Sequence, residues 1–386
     1  MKKNNKREKG AYSKYSFQSV KILTINCGSS SIKYKLYSFP RGKLIASGLV
    51  ERIGEQRSPI STHTEGMKLV FDKLLAGGAI KHIDEISAVG HRVVHGAEEF
   101  RQPHIIDKRV IKKIKECVNI APLHNPANLE GIKAALHTLP KVPQVAVFDT
   151  AFHHTIPDYA YMYAIPIKYY KKYKVRKYGF HGTSHQYVAQ KAAEILGRPF
   201  NKLKLITCHL GNGCSITAIN KGKSVDTSMG FTPLEGLMMG TRCGDIDVAA
   251  VFYLMNKEKL SLHKIDNILN KRSGLLGVSG ISNDMRPIKE AARKGDKLSK
   301  LALDMFIYRI KKYIGAYYMI LEGADAICFT AGIGENNPEL VAKIKRSIIK
   351  IIPKETKILV VPTDEGLMIA SLTFNILRNT AGAKKK

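Results

Sequence analysis

Two stretches of the chain repeat the same pattern of apolar and polar residues. Residues 22–37 and residues 205–219 each predict an apolar strand, a turn of glycine and small polar residues, and a second alternating strand. The first turn, Asn26–Ser31, and the second, Gly211–Gly213, let the backbone approach an anion while amides donate to it. Two such hairpins indicate a duplicated nucleotide-binding core with its site between the halves, and they favour a phosphotransferase.

The rest of the chain alternates between helical and strand patterns. Helices are predicted over 63–79, 107–118, 126–138, 184–196, 246–256, 298–322, 338–350 and Glu365 to Leu377, and further strands over 86–95, 144–149, 325–330 and 357–362, with a loop from the second hairpin to residue 231. Such alternation gives layered α/β domains. We predict one domain over 20–152, completed by 370–386, a second over 153–369, and a disordered basic tail over 1–19.

Two segments place polar groups at predicted helix starts, where free amides and the helix dipole favour anions. Thr183 and Gln186 match a capping box, which predicts a helix that begins shortly after His181. In Ala331–Pro338 a strand runs into a glycine turn, with an asparagine N-cap and a first-turn proline for the next helix. By itself this second pattern is not specific, because a strand, a glycine turn and a helix follow one another in many proteins.

Composition favours an intracellular enzyme. With 386 residues and 44% apolar content the chain can bury a large core in two or three domains. No uncharged apolar run predicts a membrane span, and no secretory signal is predicted near Met1. The six cysteines lie far apart without C-x-x-C spacing, which argues against a disulfide scaffold or structural zinc and favours a cytoplasmic location.

The net charge of +30 invites a nucleic-acid interpretation, because basic surfaces bind phosphate backbones. The densest basic stretch, Lys168–Lys177, has tyrosines that could stack on bases. Part of the charge lies at the two ends, however, and the other lysines are scattered, so nucleic-acid binding is disfavoured as the main function. His181 and His185 have the spacing of a zinc pair but lack the H-E-x-x-H glutamate, which disfavours a metallohydrolase.

Eight motifs resemble those of the acetate kinase family, in register over about residues 20–372. They are Asn26–Lys33, Gly90–Gly96, Pro122–Pro126, Phe148–His153, Tyr178–His185, His209–Gly213, Thr232–Asp245 and Ala331–Asn336. The resemblance implies reversible transfer of the ATP γ-phosphoryl group to acetate, giving acetyl phosphate and ADP. It also implies the two-lobed actin-like, sugar-kinase α/β fold with duplicated ribonuclease-H-like domains, and a homodimer.

Transfer to a carboxylate brings two anions together, so positive charge must surround the reacting atoms. By the resemblance, Arg92 and Arg242 are the active-site arginines and His181 donates to the transferring group, with Asn212 beside it. Asp149 completes the predicted catalytic set. Hard oxygen ligands for Mg²⁺ or Mn²⁺ are expected from Asn26, Asp149 and Glu365.

The resemblance also assigns substrate and nucleotide contacts. The pocket for the methyl group of acetate is expected to be formed by Val94, Leu123, Phe180 and Pro233. ATP contacts are expected from Ser29, Ser31, Lys33, His209, Leu210, Gly211, Asn212, Gly213, Asp284, Met285, Arg286, Gly332, Ile333, Gly334, Glu335 and Asn336. Two alternatives remain open, a propionate kinase and a catalytically weak relative that serves as a basic binding protein.

The chain departs from the family pattern at a few positions. Cys27, Ala97 and Val248 replace an alanine-like residue, a glycine and a proline, and none of these changes removes a charge. The segment between Pro338 and Thr363 is shorter than in typical members. Glu365 is followed by Gly366 where a second acid is common.

Overall fold

The structure, a computed structural model, describes residues 19–121 and 124–383. Its strands are β1 (Val20–Cys27), β2 (Ser31–Phe39), β3 (Lys43–Glu51), β4 (Ile86–Val93), β5 (His104–Ile105), β6 (Gln144–Phe148), β7 (Lys204–Leu210), β8 (Cys214–Asn220), β9 (Lys223–Thr227), β10 (Ala326–Thr330) and β11 (Lys357–Val360). The predicted tail, apart from Ser19, and the predicted pocket residue Leu123 lie outside the described residues.

The α-helices are α1 (His63–Ala76), α2 (Lys108–Glu116), α3 (Asn125–Thr138), α4 (Asp158–Tyr161), α5 (Lys168–Tyr173), α6 (Gly182–Leu196), α7 (Val248–Lys257), α8 (Leu262–Lys271), α9 (Gly274–Ser279), α10 (Met285–Arg293), α11 (Lys297–Ile320), α12 (Ala331–Asn336), α13 (Pro338–Ile348) and α14 (Glu365–Ala383). The chain divides into two compact units. Unit 1 consists of the residues up to Ala151 and those from Asp364 onward, and unit 2 is Phe152–Thr363.

Unit 1 contains a six-stranded sheet in the order β3-β2-β1-β4-β6-β5. The strands β1, β4 and β6 are parallel, and β2 and β3 are antiparallel to their neighbours. On one face, Leu23 and Ile25 pack in a core cluster that includes residues of α1 and α3. On the other face, Ile22 packs with Ala370 of α14. Because helices cover both faces, most residues of the central strands β1, β4 and β6 are buried.

Helix α14 lies very close to strand β4. A Cβ added to Gly90 would lie 2.5 Å from Thr373 Oγ1 and 2.8 Å from Ile369 Cγ2. Glycine therefore permits this helix–strand contact. The structure assigns the segment from Asp364 onward to unit 1, whereas the predicted boundary falls after residue 369. The first turn of α14 already packs against unit 1, and Asp364 accepts hydrogen bonds from Lys35 and Tyr37.

Unit 2 repeats the plan of unit 1. Its five-stranded sheet has the order β11-β10-β7-β8-β9. The hairpin β7–β8 and the pair β8–β9 are antiparallel, while β7, β10 and β11 are parallel. This matches β6-β4-β1-β2-β3 in order and direction, so the predicted α/β fold with a duplicated hairpin core is confirmed.

Most predicted helices and strands are present with ends shifted by a few residues. The secondary structure differs from the predictions in three respects. The loop predicted as far as residue 231 contains β9, because Ser224 and Thr227 are buried in the sheet. The glycine turn at residue 331 is the short helix α12. The helices α4, α5, α8, α9 and α10 were not predicted at all.

The described residues contain no helix that is both long enough and apolar enough to cross a membrane.

Candidate active site

In unit 1 several of the predicted site residues lie where parallel strands end. Arg92 is the penultimate residue of β4, and Asp149 directly follows β6, where its backbone N–H donates to Val93 O at 2.9 Å. Arg92 Nε donates to Asp149 Oδ1 at 3.1 Å and Arg92 Nη2 to Asp149 Oδ2 at 2.5 Å. This is a two-point pairing of a guanidinium with a carboxylate, a geometry that arginine favours.

Two further predicted residues complete this group. Glu365 Oε2 lies 3.5 Å from Arg92 Nε, and Asn26 Oδ1 lies 3.5 Å from Arg92 Nη1. Burial by itself lowers the pKa of Arg92, but the charges of Asp149 and Glu365 outweigh it and raise the pKa. Arg92 is therefore a permanent cation, 19% exposed, beside a carboxylate that is 1% exposed.

The oxygens around Arg92 also suit a hard metal ion. Asn26, Asp149 and Glu365 offer one amide and two carboxylate groups, the ligand types that Mg²⁺ prefers. Among the described residues no cluster of three histidine, cysteine, aspartate or glutamate side chains could hold a metal ion. The one amide and two carboxylate groups by themselves match the oxygen donors that a nucleotide-bound Mg²⁺ takes from protein.

The other predicted residues of unit 1 lie on or near the same strand ends. Asn26 and Lys33 face each other in the β1–β2 register, and the turn between the strands is closed by Gly28 N–H donating to Ser31 O at 2.8 Å. The side chains of Ser29 and Lys33 are exposed. Val94 is buried, and its N–H donates to Asn128 Oδ1 at 3.0 Å.

In unit 2 the predicted catalytic side chains meet at the β7–β8 turn. A Cβ added to Gly213 would lie 3.3 Å from His181 Nε2 and equally 3.3 Å from Arg242 Nη1. Asn212 is held beside them, since its carbonyl accepts from Gly240 N–H at 2.9 Å. Burial lowers the pKa of Arg242, with a smaller opposite influence from Cys214, but an arginine remains charged.

Two pocket residues of unit 2 were also predicted. Arg242 Nη1 donates to the carbonyl of Pro233 at 3.4 Å, which places that residue beside the guanidinium. Phe180 is buried one residue before His181, and its carbonyl contacts His153 Nε2 at 2.9 Å. Both therefore border the same group of side chains.

His181 occupies an unusual position at the start of α6. It is the N-cap of the helix, with φ 56° and ψ 23°, in the left-handed region that costs a non-glycine residue energy. The capping box predicted from Thr183 was wrong, because the helix begins at Gly182. The ring stacks on His209 with centroids 4.1 Å apart, and its Nδ1 lies 2.8 Å from Ser215 Oγ. Strain retained at such a point is typical of functional residues.

A cavity of about 490 Å³ opens next to this group within unit 2. Its lining includes half of the predicted ATP contacts and two asparagines that sequence reasoning missed. The lining residues are Gly211, Asn212, Asn283, Asp284, Met285, Arg286, Gly332, Ile333, Asn336 and Asn337. Asn283 Nδ2 donates to Asn212 Oδ1 at 3.0 Å and so links two walls of the cavity.

Several predicted ATP contacts do not line this cavity. Leu210 and Gly334 are buried in the fold behind it. Glu335 Oε1 accepts the backbone N–H groups of Ala331 at 2.8 Å and Thr363 at 3.0 Å. The carboxylate therefore fixes two loops of the polypeptide, a role that the Gly-Glu-Asn sequence does not reveal.

The two matching sheets give the chain a duplicated α/β fold of the actin-like, sugar-kinase type. A model of the acetokinase family matches residues 21–348. Acetate kinases from Thermoanaerobacterium thermosaccharolyticum and Thermotoga maritima are each 51% identical over 398 residues, covering 93% of this chain and 100% and 99% of those proteins. The chain belongs to the acetokinase family.

Solved structures agree with this assignment. The crystal structure of Porphyromonas gingivalis acetate kinase is 43% identical, with a TM-score of 0.86 and coverage of 93% of this chain and 100% of that one. A propionate kinase from Francisella tularensis is 42% identical, with a TM-score of 0.87 and coverage of 92% and 99%. The fold is thus shared over nearly the whole chain with carboxylate kinases.

Proposed function

We propose that this protein is an acetate kinase, which transfers the γ-phosphoryl group of ATP to a carboxylate oxygen of acetate and catalyses the reverse reaction. The observation that carries the proposal is the placement of His181, Asn212 and Arg242 around Gly213, beside the cavity of about 490 Å³. Cationic and N–H donors next to a cavity suited to a nucleotide are what phosphoryl transfer requires. Membership of the acetokinase family supports the carboxylate acceptor.

The chemistry assigns a role to each charged group. Acetate and ATP repel each other, and guanidinium groups stabilise both a carboxylate and phosphoryl oxygens. We assign acetate binding to Arg92 and the phosphoryl oxygens to Arg242 and His181, which donate as negative charge builds up during in-line transfer. Nucleotide binding belongs to the cavity of unit 2.

Mg²⁺, or Mn²⁺ in its place, is proposed to accompany the nucleotide. When bound, the ion neutralises charge on the phosphate groups. Asn26, Asp149 and Glu365 are its proposed oxygen ligands in this chain. Asp149 has a second role, which is to hold the guanidinium of Arg92 in a fixed orientation.

The test is the hydroxylamine-trapping assay for acyl phosphate with ATP, Mg²⁺ and a panel of acetate, propionate and butyrate. We expect kcat/KM to fall from acetate to propionate by about 10-fold or more, because one methylene in an apolar pocket is worth about 1–3 kcal/mol. The variant Val94→Ala should reduce the ratio of kcat/KM for acetate to kcat/KM for propionate. A flat signal from folded protein with every acid would contradict the proposal and favour a binding protein.

A propionate kinase is the second candidate, since the Francisella tularensis structure that matches this chain so well bears that name. The same panel decides between the two. A higher kcat/KM for propionate than for acetate would establish the second candidate.

We also propose that the enzyme is a cytoplasmic homodimer that associates through α7 and α8. None of the residues of α7 is buried, and its Phe252 is 66% exposed, next to the exposed Val248 and Tyr253. Leu262 adds to this apolar surface at the start of α8. Exposed apolar clusters of this kind mark protein interfaces.

We expect Phe252→Glu to convert the dimer into a monomer, because a buried unpaired charge opposes association. Light scattering after size exclusion measures the mass directly. Tyr308→Glu, at an exposed aromatic residue on α11, is the matched control and should leave the mass unchanged. A wild-type protein that is monomeric at micromolar concentration would contradict the proposal.

A further inference from the structure

Four polar side chains of unit 2 form a continuous hydrogen-bonded series that ends at His181. Thr207 Oγ1 lies 2.7 Å from His185 Nδ1, His185 Nε2 lies 2.7 Å from Ser215 Oγ, and Ser215 Oγ lies 2.8 Å from His181 Nδ1. Thr207, His185 and Ser215 are completely buried. The series therefore connects the middle of strand β7 to the site without exposure to water.

The direction of the series follows from the number of donors and acceptors. Burial, reinforced by His153 and His209, holds the pKa of His185 well below its usual value, so this ring is neutral, with one N–H and one acceptor nitrogen. If the Thr207 hydroxyl donates to Nδ1, then His185 Nε2–H donates to Ser215, and Ser215 donates to His181 Nδ1. Every group of the series is then satisfied.

The opposite direction leaves one proton without an acceptor. In that case His181 Nδ1–H donates to Ser215, Ser215 to His185 Nε2, and His185 Nδ1–H to Thr207. The hydroxyl proton of Thr207 would then need another acceptor, and among the described residues the hydroxyl contacts none besides His185. A buried hydroxyl without an acceptor is costly, so the first direction prevails.

We propose that Thr207, His185 and Ser215 are positioning residues that hold His181 as the neutral tautomer with its proton on Nε2. That nitrogen is the one beside Gly213 and Arg242. The inference rests on the proposed function, because it makes the Nε2–H of His181 the donor to the transferring phosphoryl group. The series supplies what a donor needs before the reaction, namely one fixed protonation and one fixed orientation.

The surroundings of His181 restrict its ring in a second way. His209 stacks on it, and His209 Nδ1 is itself held by Ser184 Oγ at 2.8 Å, which in turn contacts Thr363 Oγ1 at 2.9 Å. The plane of the ring is thus fixed by stacking, while its protonation is fixed by Ser215. These two constraints are separable by mutation.

The test combines ¹⁵N-histidine NMR spectra of the full-length protein with steady-state kinetics. His181 is assigned by loss of its signals in His181→Gln, and its two-bond ¹H–¹⁵N pattern reports which nitrogen carries the proton. In the wild type we expect the proton on Nε2. In Ser215→Ala we expect a mixture of tautomers and a kcat lower by about 10–100-fold, with KM for ATP nearly unchanged, since a wrong tautomer impairs catalysis rather than binding.

Three further variants keep the test decisive. Ser215→Thr retains the hydroxyl and should restore the tautomer and most of kcat. Thr207→Val removes the first donor of the series without touching His181, and should shift the tautomer with a smaller loss of kcat. Thr217→Val is the matched control, because Thr217 pairs with Thr207 in the β7–β8 register and is equally buried, but its hydroxyl contacts Thr227 instead.

The proposal is overturned if wild-type His181 carries its proton on Nδ1. It also fails if Thr217→Val shifts the tautomer as much as Thr207→Val does. If Ser215→Ala does not fold, the comparison of Thr207→Val with Thr217→Val still decides the question. Because the NMR readout needs no turnover, an inactive wild type would overturn the proposed function while the tautomer result stands by itself.

Discussion

Replacing Arg242 or His181 with alanine is expected to lower kcat by about 10²–10³-fold, as removal of one transition-state donor does in other enzymes. ATP affinity should change little. Both side chains lie at the β7–β8 turn beside Gly213, next to the cavity of unit 2 but absent from its lining. In the proposed mechanism they meet charge that develops on the transferring group, and only interactions that strengthen in the transition state raise kcat.

Steady-state kinetics together with equilibrium binding of ADP separates the two effects. Arg286, whose exposed side chain lines the cavity, should behave in the opposite way, with Arg286→Ala raising KM for ATP more than it lowers kcat. Arg293→Ala removes an exposed arginine that pairs with Glu339 on the surface. This variant is the control, and it should change neither kcat nor KM for ATP. Equal losses in kcat and ATP affinity for Arg242→Ala would show that this residue binds the ground state instead.

Asp149→Ala is expected to destabilise the protein by about 3–5 kcal/mol, because it leaves the largely buried guanidinium of Arg92 without its main partner. Glu365 remains 3.5 Å from Arg92 Nε and should hold the loss near the lower end of that range. Activity should fall as well, since Asp149 fixes the orientation of Arg92 and is a proposed metal ligand. Urea unfolding followed by circular dichroism measures the first effect, and the hydroxamate assay the second.

Two comparisons make the Asp149 result interpretable. Asp304→Ala breaks an exposed pair with Lys343 and should cost less than about 1 kcal/mol. The double variant Arg92→Leu/Asp149→Leu should unfold at a higher urea concentration than Asp149→Ala, because no buried charge is left unpaired. If Asp149→Ala is as stable as the wild type, then water or Glu365 fully compensates for the partner that Arg92 has lost.

The hairpins were predictable from sequence because an apolar strand, a turn that contains glycine and a second strand follow one another in the same order in both copies. The same pattern placed Asn26 and Gly211–Gly213 at strand ends, where the structure has them. Helices α8 to α10 escaped prediction because they are short, with 10, 6 and 9 residues, and because α9 and α10 depend on packing against the distant helix α11. Local sequence contains little of that information.

Other misinterpretations trace to residues whose role depends on distant partners. His181 adopts a left-handed backbone, and so the helix starts two residues before the capping signal from Thr183–Gln186 suggests. For Glu335 the ATP contact stays a prediction, and the sequence did not indicate that its carboxylate also accepts from Thr363 N–H. Ser215 and Thr207 look like ordinary strand residues in sequence, because only the fold brings His185 between them.

Helix α14 has a consequence for how the chain is made. Unit 1 needs this last helix to cover the face of its sheet that carries Ile22 and Val145, and Ile369 and Ala370 are the residues that do so. During translation, residues 20–151 therefore cannot complete their fold until α14 has been synthesised. One face of their sheet stays uncovered while unit 2 is synthesised and able to fold. The synthesis of unit 1 begins before that of unit 2, but its folding is completed later. We therefore expect a chaperone to bind the uncovered sheet of unit 1 during translation.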